Sequence, residues 1–190
     1  MNRRDAIERV ILLTGGAVIG VDFFISGCKQ PNAKKVNDLF NTDQVAFFNE
    51  VGDTILPPTK TPGAKAADVG SFIAIMVADC YTPADQKIFM TAQSKIDAES
   101  QKMFNKNFLD CDSGQRTQLL TAIDKEQKLS AKNKQPADPY HYFSMVKQLT
   151  LLGYFTSEVG CTQALRYVPV PGRFDGNIPY KKGDKAWALA

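Results

Sequence analysis

One histidine and one tryptophan stand in 190 residues. A lone imidazole, His141, excludes the common multi-histidine zinc sites and the paired-histidine arrangement of many redox centres. A serine–histidine–acid triad would have to use that one ring, and the chain has no Gly-x-Ser-x-Gly elbow. Cys-x-x-Cys-His is missing, so no c-type haem is attached covalently. Gly-x-Gly-x-x-Gly and the phosphate loop are missing too, which excludes the usual glycine-rich cradles for FAD, NAD and ATP. The net charge is only +3 and is evenly spread, whereas a nucleic-acid surface needs a concentrated basic face. No stretch alternates apolar and polar with period two, so no sheet is expected. No internal repeat is visible. The reading therefore assigns no catalytic, cofactor-binding or metal-ligating residue.

What is present begins at the N-terminus. Met1 to Arg9 is a charged head, Val10 to Val21 is apolar and glycine-spaced, and Ile25-Ser26-Gly27-Cys28 closes the segment. A positive head, a short apolar run and small residues before a cut site describe an export signal over residues 1–27. The run falls short of the roughly 20 apolar residues that span a bilayer, and Asp22 would be costly at that depth. An uncleaved anchor or a buried N-terminal helix is the alternative. The closing tetrapeptide resembles the lipobox of bacterial lipoproteins, in which the cysteine is acylated and becomes the new N-terminus. Arg3-Arg4 resembles the twin-arginine signal that exports folded proteins; Asp5 and Glu8 weaken that match and leave ordinary Sec export open. These features place the mature chain in the cell envelope, on the periplasmic side, held by a lipid on Cys28.

Lipidation of Cys28 would leave Cys80, Cys111 and Cys161, an odd number in a compartment that permits disulfides. One intrachain pair would leave a thiol for a bridge to another chain. Three reduced, buried cysteines are the alternative, and spacing does not choose the pairing.

Residues 28–41 read as a polar tether, and 42–190 as one helical domain. Thr42 or Asp43 caps a first helix through Val45, Phe48, Val51 and Ile55, which Pro57-Pro58 ends. Asp68 opens a second, through about Tyr81. Thr82-Pro83 starts a third, running unbroken to about Asn107. Ser113 caps a fourth that frays from Lys125 onward, and Asp138-Pro139 starts a fifth that Gly153 closes. Thr156 caps a short sixth, through about Leu165. From Tyr167 onward, prolines and glycines forbid regular structure. That tail, with Phe174, Tyr180 and Trp187, is too long to be idle and wraps either its own domain or a partner. The expected fold is all-α, a compact bundle of five or six helices.

Two stretches carry a family resemblance. Asp53-Thr54-Ile55-Leu56-Pro57-Pro58-Thr59-Lys60-Thr61-Pro62-Gly63-Ala64 resembles the opening signature of the gluconate 2-dehydrogenase subunit 3 family. Gly153-Tyr154-Phe155-Thr156-Ser157-Glu158-Val159-Gly160, with Leu165-Arg166-Tyr167-Val168-Pro169-Val170-Pro171-Gly172, resembles that family's C-terminal part. The resemblance implies a small accessory subunit of a membrane-associated, FAD-dependent dehydrogenase of the glucose-methanol-choline type, acting on gluconate, sugars or polyols. FAD would lie in the large subunit, a cytochrome c subunit or a quinone would take the electrons, and the small subunit would escort the folded flavoprotein through export. The lipobox departs from relatives whose leader is simply removed, and would make this chain the tether as well. Pro57, Pro62, Gly63, Tyr154, Phe155, Arg166 and Tyr167 are the residues expected at the partner interface. Arg166 is foremost, since arginine and tyrosine dominate binding hot spots. Cys161 is the candidate for an interchain disulfide. A free-standing envelope lipoprotein acting as a helical binding module is the competing reading, and an enzyme in its own right a third.

Overall fold

The computed structural model describes residues 34–135, 138–170, 172–173 and 176–188. The export signal, Arg3, Arg4, Cys28 and the tether up to residue 33 lie outside the described residues, as does Phe174 in the tail. Within them are six α-helices and no strand: α1 Thr42–Ile55, α2 Val69–Cys80, α3 Pro83–Met90, α4 Ala92–Phe104, α5 Ser113–Lys132 and α6 Tyr142–Thr156. Short turns of 3₁₀ helix occupy Ala64–Ala67 and Phe108–Asp110, and a π-type turn occupies Gly160–Ala164.

The folded body begins before residue 42, which shortens the expected tether. Phe40 is buried against Phe48 and Phe89, with ring centroids 6.1 Å away in both cases. Asn37 donates to the Ala74 carbonyl at 3.0 Å, pinning the entering strand of chain to α2. Asn41, rather than Thr42 or Asp43, caps α1. Its side chain accepts from the Gln44 amide while Gln44 accepts from the Asn41 amide, a reciprocal capping box.

Asp68 opens α2 from the N-cap position, as expected, but its side chain makes no capping bond. Its backbone is left-handed at φ 49°, and its carboxylate accepts from Asn49 of α1 at 2.8 Å. Asn49 performs the cap instead, accepting the Gly70 amide at 2.8 Å. The expected third helix is two helices, because Thr91 interrupts it. The Thr91 hydroxyl and amide both donate to the Ile88 carbonyl, turning the chain so that Phe89 and Ala92 both reach the core.

Further boundaries differ from expectation. Asp112 caps α5 with a second capping box to Gln115, and α5 stays helical through Lys132 where fraying was expected. Asp124, bridged to Lys128 and to Lys147 of α6, ties that polar stretch down. His141 caps α6, three residues after Asp138, its Nδ1 accepting from the Phe143 amide at 3.2 Å. Gly153 lies inside α6, where a Cβ would come within 2.6 Å of the Phe72 ring; it is there for close packing, not for termination. Ser157, not Thr156, then accepts the Gly160 amide, and the expected sixth helix is a single wide turn.

The core is rich in phenylalanine. Phe40, Phe47, Phe48, Phe89, Phe108 and Phe143 are all at most 2% exposed. A fully buried side chain of this kind stabilises the fold by about 1.5–3 kcal/mol. A smaller second cluster, Ala64, Val69 and Tyr154, joins the signature loop to the end of α6.

Candidate functional site

The two motif-bearing stretches meet in space. After α1 the chain passes Pro57 and Pro58 and folds back so that the Ala64 amide donates to the Leu56 carbonyl at 2.9 Å. Gly63 sits in the crook of this lap. A Cβ there would lie 2.4 Å from the Asp53 carboxylate and 2.8 Å from the Pro58 nitrogen, so only glycine fits. The phenol of Tyr154 donates to the Pro62 carbonyl at 2.7 Å, and the Tyr154 ring is buried. Pro62, Gly63 and Tyr154 therefore hold the fold. Pro57 lines a cleft of about 460 Å³ with Glu50, Asp53, Cys111 and Arg116.

That cleft is walled by a charged node. Glu50 accepts from Lys65 and, at 2.6 Å, from Arg116. Arg116 also donates to the carbonyls of Phe108 at 3.1 Å and Leu109 at 2.7 Å. Lys65 first, and Arg116 after it, hold the Glu50 carboxyl below its ordinary range against the opposing effect of partial burial. Every group in the node has a partner, so it reads as a brace between α1 and α5.

Arg166 is likewise fastened within the structure. Its amide donates to the Ala186 carbonyl at 2.7 Å, and its carbonyl accepts from Ala188 at 2.9 Å. Its guanidinium lies 4.7 Å from the Trp187 ring centroid and 3.7 Å from Asp184. This clasp brings residue 187 back beside residue 166, so the tail closes on itself.

Phe155 and Tyr167, by contrast, are open to solvent, at 38% and 44% exposure. Phe155 is part of a larger surface. One face of α6 buries Tyr142, Phe143, Met145, Val146, Leu149, Thr150, Gly153 and Tyr154. The opposite face, toward its C-terminal end, is apolar as well: Leu151, Leu152 and Phe155 are exposed. An apolar outer face over the last turn of a helix favours a cover from outside. On α2, which packs beside α6 through Phe72 and Gly153, Ile75 is 56% exposed. Beyond α6, Val170 is 80% and Tyr180 76% exposed. Leu151 and Ile75 escaped the sequence reading, and Leu152, expected on the apolar stripe of α6 with Leu149, is exposed instead. The signal was there, since Leu151 and Phe155 are one helical turn apart on the side opposite Gly153.

The cysteines stay unpaired among the described residues: Cys80 is exposed, Cys111 buried and Cys161 half-buried. Cys111 lies 3.2 Å from the Ser100 hydroxyl. The Cys161 thiol donates to the Phe155 carbonyl at 3.3 Å, at the edge of the apolar face. Among the described residues no cluster of three His, Cys, Asp or Glu could hold a metal ion, and no helix is long and apolar enough to cross a membrane.

No curated protein and no solved structure matches this chain significantly. The family profile described as Gluconate 2-dehydrogenase subunit 3 matches residues 42–172, a span that takes in α1 to α6, the lap at Gly63 and Tyr154 locked onto Pro62. By that match the chain belongs to the gluconate 2-dehydrogenase subunit 3 family and is an accessory subunit of such a complex.

Proposed function

We propose that this chain is the non-catalytic small subunit of a membrane-associated, FAD-dependent dehydrogenase of the glucose-methanol-choline type, acting on gluconate, sugars or polyols. It escorts the folded flavoprotein through export, by the leader containing Arg3 and Arg4, and moors it at the periplasmic side through a lipid on Cys28. FAD belongs to the large subunit, and a cytochrome c subunit receives the electrons in the assembled complex.

One observation carries this reading: the apolar outer face of α6. Leu151, Leu152 and Phe155 occupy a solvent-facing position where a self-sufficient domain would place charged residues. A flavoprotein surface seated on that face would bury it. Cys161 lies at its border, which suits a disulfide to the same partner.

Isolation of the chain from its native host in mild detergent tests the reading. The expected result is a yellow complex containing one FAD-bearing large subunit. The double substitution Leu151→Asp/Phe155→Asp removes that companion while the bundle's thermal melt stays in place. Arg3→Lys/Arg4→Lys leaves the large subunit in the cytoplasm. A large subunit that reaches the envelope without this chain would end the escort claim. A chain that purifies alone, from cells making both, would end the subunit claim.

A further inference from the structure

The clasped tail has a concave surface of its own. Ile178, Pro179 and Tyr180 form one wall and Lys185, Ala186 and Trp187 the other, with Arg166 and Asp184 at the floor, enclosing about 350 Å³. The walls are largely apolar. The floor is charged but already satisfied, since Arg166 is paired with Asp184 and stacked on Trp187. A second fastening holds the same geometry: Lys185 donates to the Gln163 carbonyl. Asp184 accepts from the Lys181 amide at 2.9 Å, fixing the turn between the walls. The socket is therefore built before any partner arrives, and a prebuilt site is spared much of the ordering cost of association.

Three kinds of occupant can be weighed. A small polar ligand finds no unpaired charge at the floor. A planar bilayer meets a concave surface with few cations to hold it. Lys181 and Lys182 have no carboxylate partner among the described residues, and at about 1 kcal/mol per lysine near an anionic surface they supply little alone. A protein surface with one protruding apolar side chain fits both the shape and the chemistry, because interface hot spots pair a bulky anchor with an aromatic-lined pocket. Lys181 and Lys182, exposed and next in sequence to Tyr180, fit carboxylates around that anchor. Position favours the same answer. The π-type turn that leads into the clasp is bonded back to the end of α6 through Cys161 and Phe155, so the chain that builds the socket departs from the border of the apolar face of α6.

We infer that the tail socket of Ile178, Tyr180 and Trp187 receives a bulky apolar side chain, ringed by acidic residues, from the surface of the large dehydrogenase subunit. This rests on the subunit reading above. The family profile ends at residue 172, so every lining residue except Arg166 lies beyond the shared stretch.

The test compares the full-length chain with Ile178→Asp and the milder Tyr180→Ala, each purified from the native host in mild detergent. The readouts are FAD per mole of chain, gluconate dehydrogenase activity with an artificial acceptor, helicity and thermal melting. Both substitutions lie outside the bundle, so helicity and melting should not move. The expected result is a loss of bound FAD of about tenfold or more in washed complexes, the size of a hot-spot truncation. Equal FAD in wild type and both variants would overturn the socket while leaving the subunit reading intact. No FAD even with the wild-type chain would overturn both. Unchanged FAD with lost binding to vesicles of anionic phospholipid would replace the protein partner by the membrane surface.

Discussion

The hydroxyl of Tyr154 and the carbonyl of Pro62, 92 residues apart in sequence, are 2.7 Å apart in the fold. This bond joins the two motifs by which the chain resembles its family, and it closes the second hydrophobic cluster over Ala64 and Val69. Tyr154→Phe keeps the ring packing and removes only the bond. The expected cost is about 1 kcal/mol, read as a lower urea midpoint at unchanged slope. Phe155→Leu, one residue on, should leave that midpoint where it is.

Gly70 sits where α2 crosses α1. A Cβ there would lie 2.3 Å from the Val45 carbonyl oxygen and 2.9 Å from the Asn49 side chain. Alanine is the better helix former by about 1 kcal/mol, so an isolated helix would gain from Gly70→Ala. Here the clash involves backbone, which cannot swing aside, and overpacking of this kind costs about 1–3 kcal/mol or more. It also displaces Asn49 from its cap on the Gly70 amide. Net destabilisation in chemical denaturation is expected, and a stabilised Gly70→Ala variant would show that the helices do not cross this closely.

The helical class was legible because each element announces itself by local chemistry. Thr82-Pro83 gives a cap and a first-turn proline, and Thr82 does accept the Asp85 amide. The misplacements share one cause, which is that partners from distant elements decided the outcome. Asp68 does open its helix, but the side-chain cap comes from Asn49 of another helix. Gly153 looks like a terminator until Phe72 is laid against it. Thr91 looks like any helical residue, yet its hydroxyl competes for the Ile88 carbonyl and splits the helix there. The candidate interface was half legible for the same reason. Tyr154 and Arg166 stood out by residue type, and both turned out to be fastened internally. Leu151, unremarkable in sequence, and Leu152, expected on the apolar stripe, gained meaning only once the other side of α6 was seen to be full.

His141 makes the stability of α6 depend on pH. Its Nδ1 accepts the Phe143 amide, which only the unprotonated nitrogen can do. Burial pushes the imidazole below its ordinary 6.5, against the weaker pull of Glu126 toward protonation. The folded ring thus resists a proton that the unfolded ring accepts. The contribution is present above about pH 6.5, declines as pH falls through that value, and levels off once the folded ring is also protonated. His141→Asn keeps a capping oxygen and removes the titration. Melting followed at pH 7.5 and pH 5.5 should show a drop for the wild type across that window and a smaller one for the variant.

Arg166 supplies the sharpest separation between bundle and tail. Its guanidinium holds Trp187 by a cation–π contact and Asp184 by a partly exposed ion pair, together about 1–2 kcal/mol. Arg166→Ala leaves the backbone bonds to Ala186 and Ala188 available but removes the side-chain fastening. Since the six helices do not depend on it, their thermal melt should stay put while the tail opens more often. Trypsin cleavage after Lys181 and Lys182, followed by mass spectrometry, should then speed up by about tenfold, because cleavage of a transiently open segment tracks its population. Arg166→Lys keeps the charge but loses the planar stacking surface, so its cleavage rate should fall between the two. A melt that drops in step with faster cleavage would instead make the clasp part of the bundle's cooperative unit.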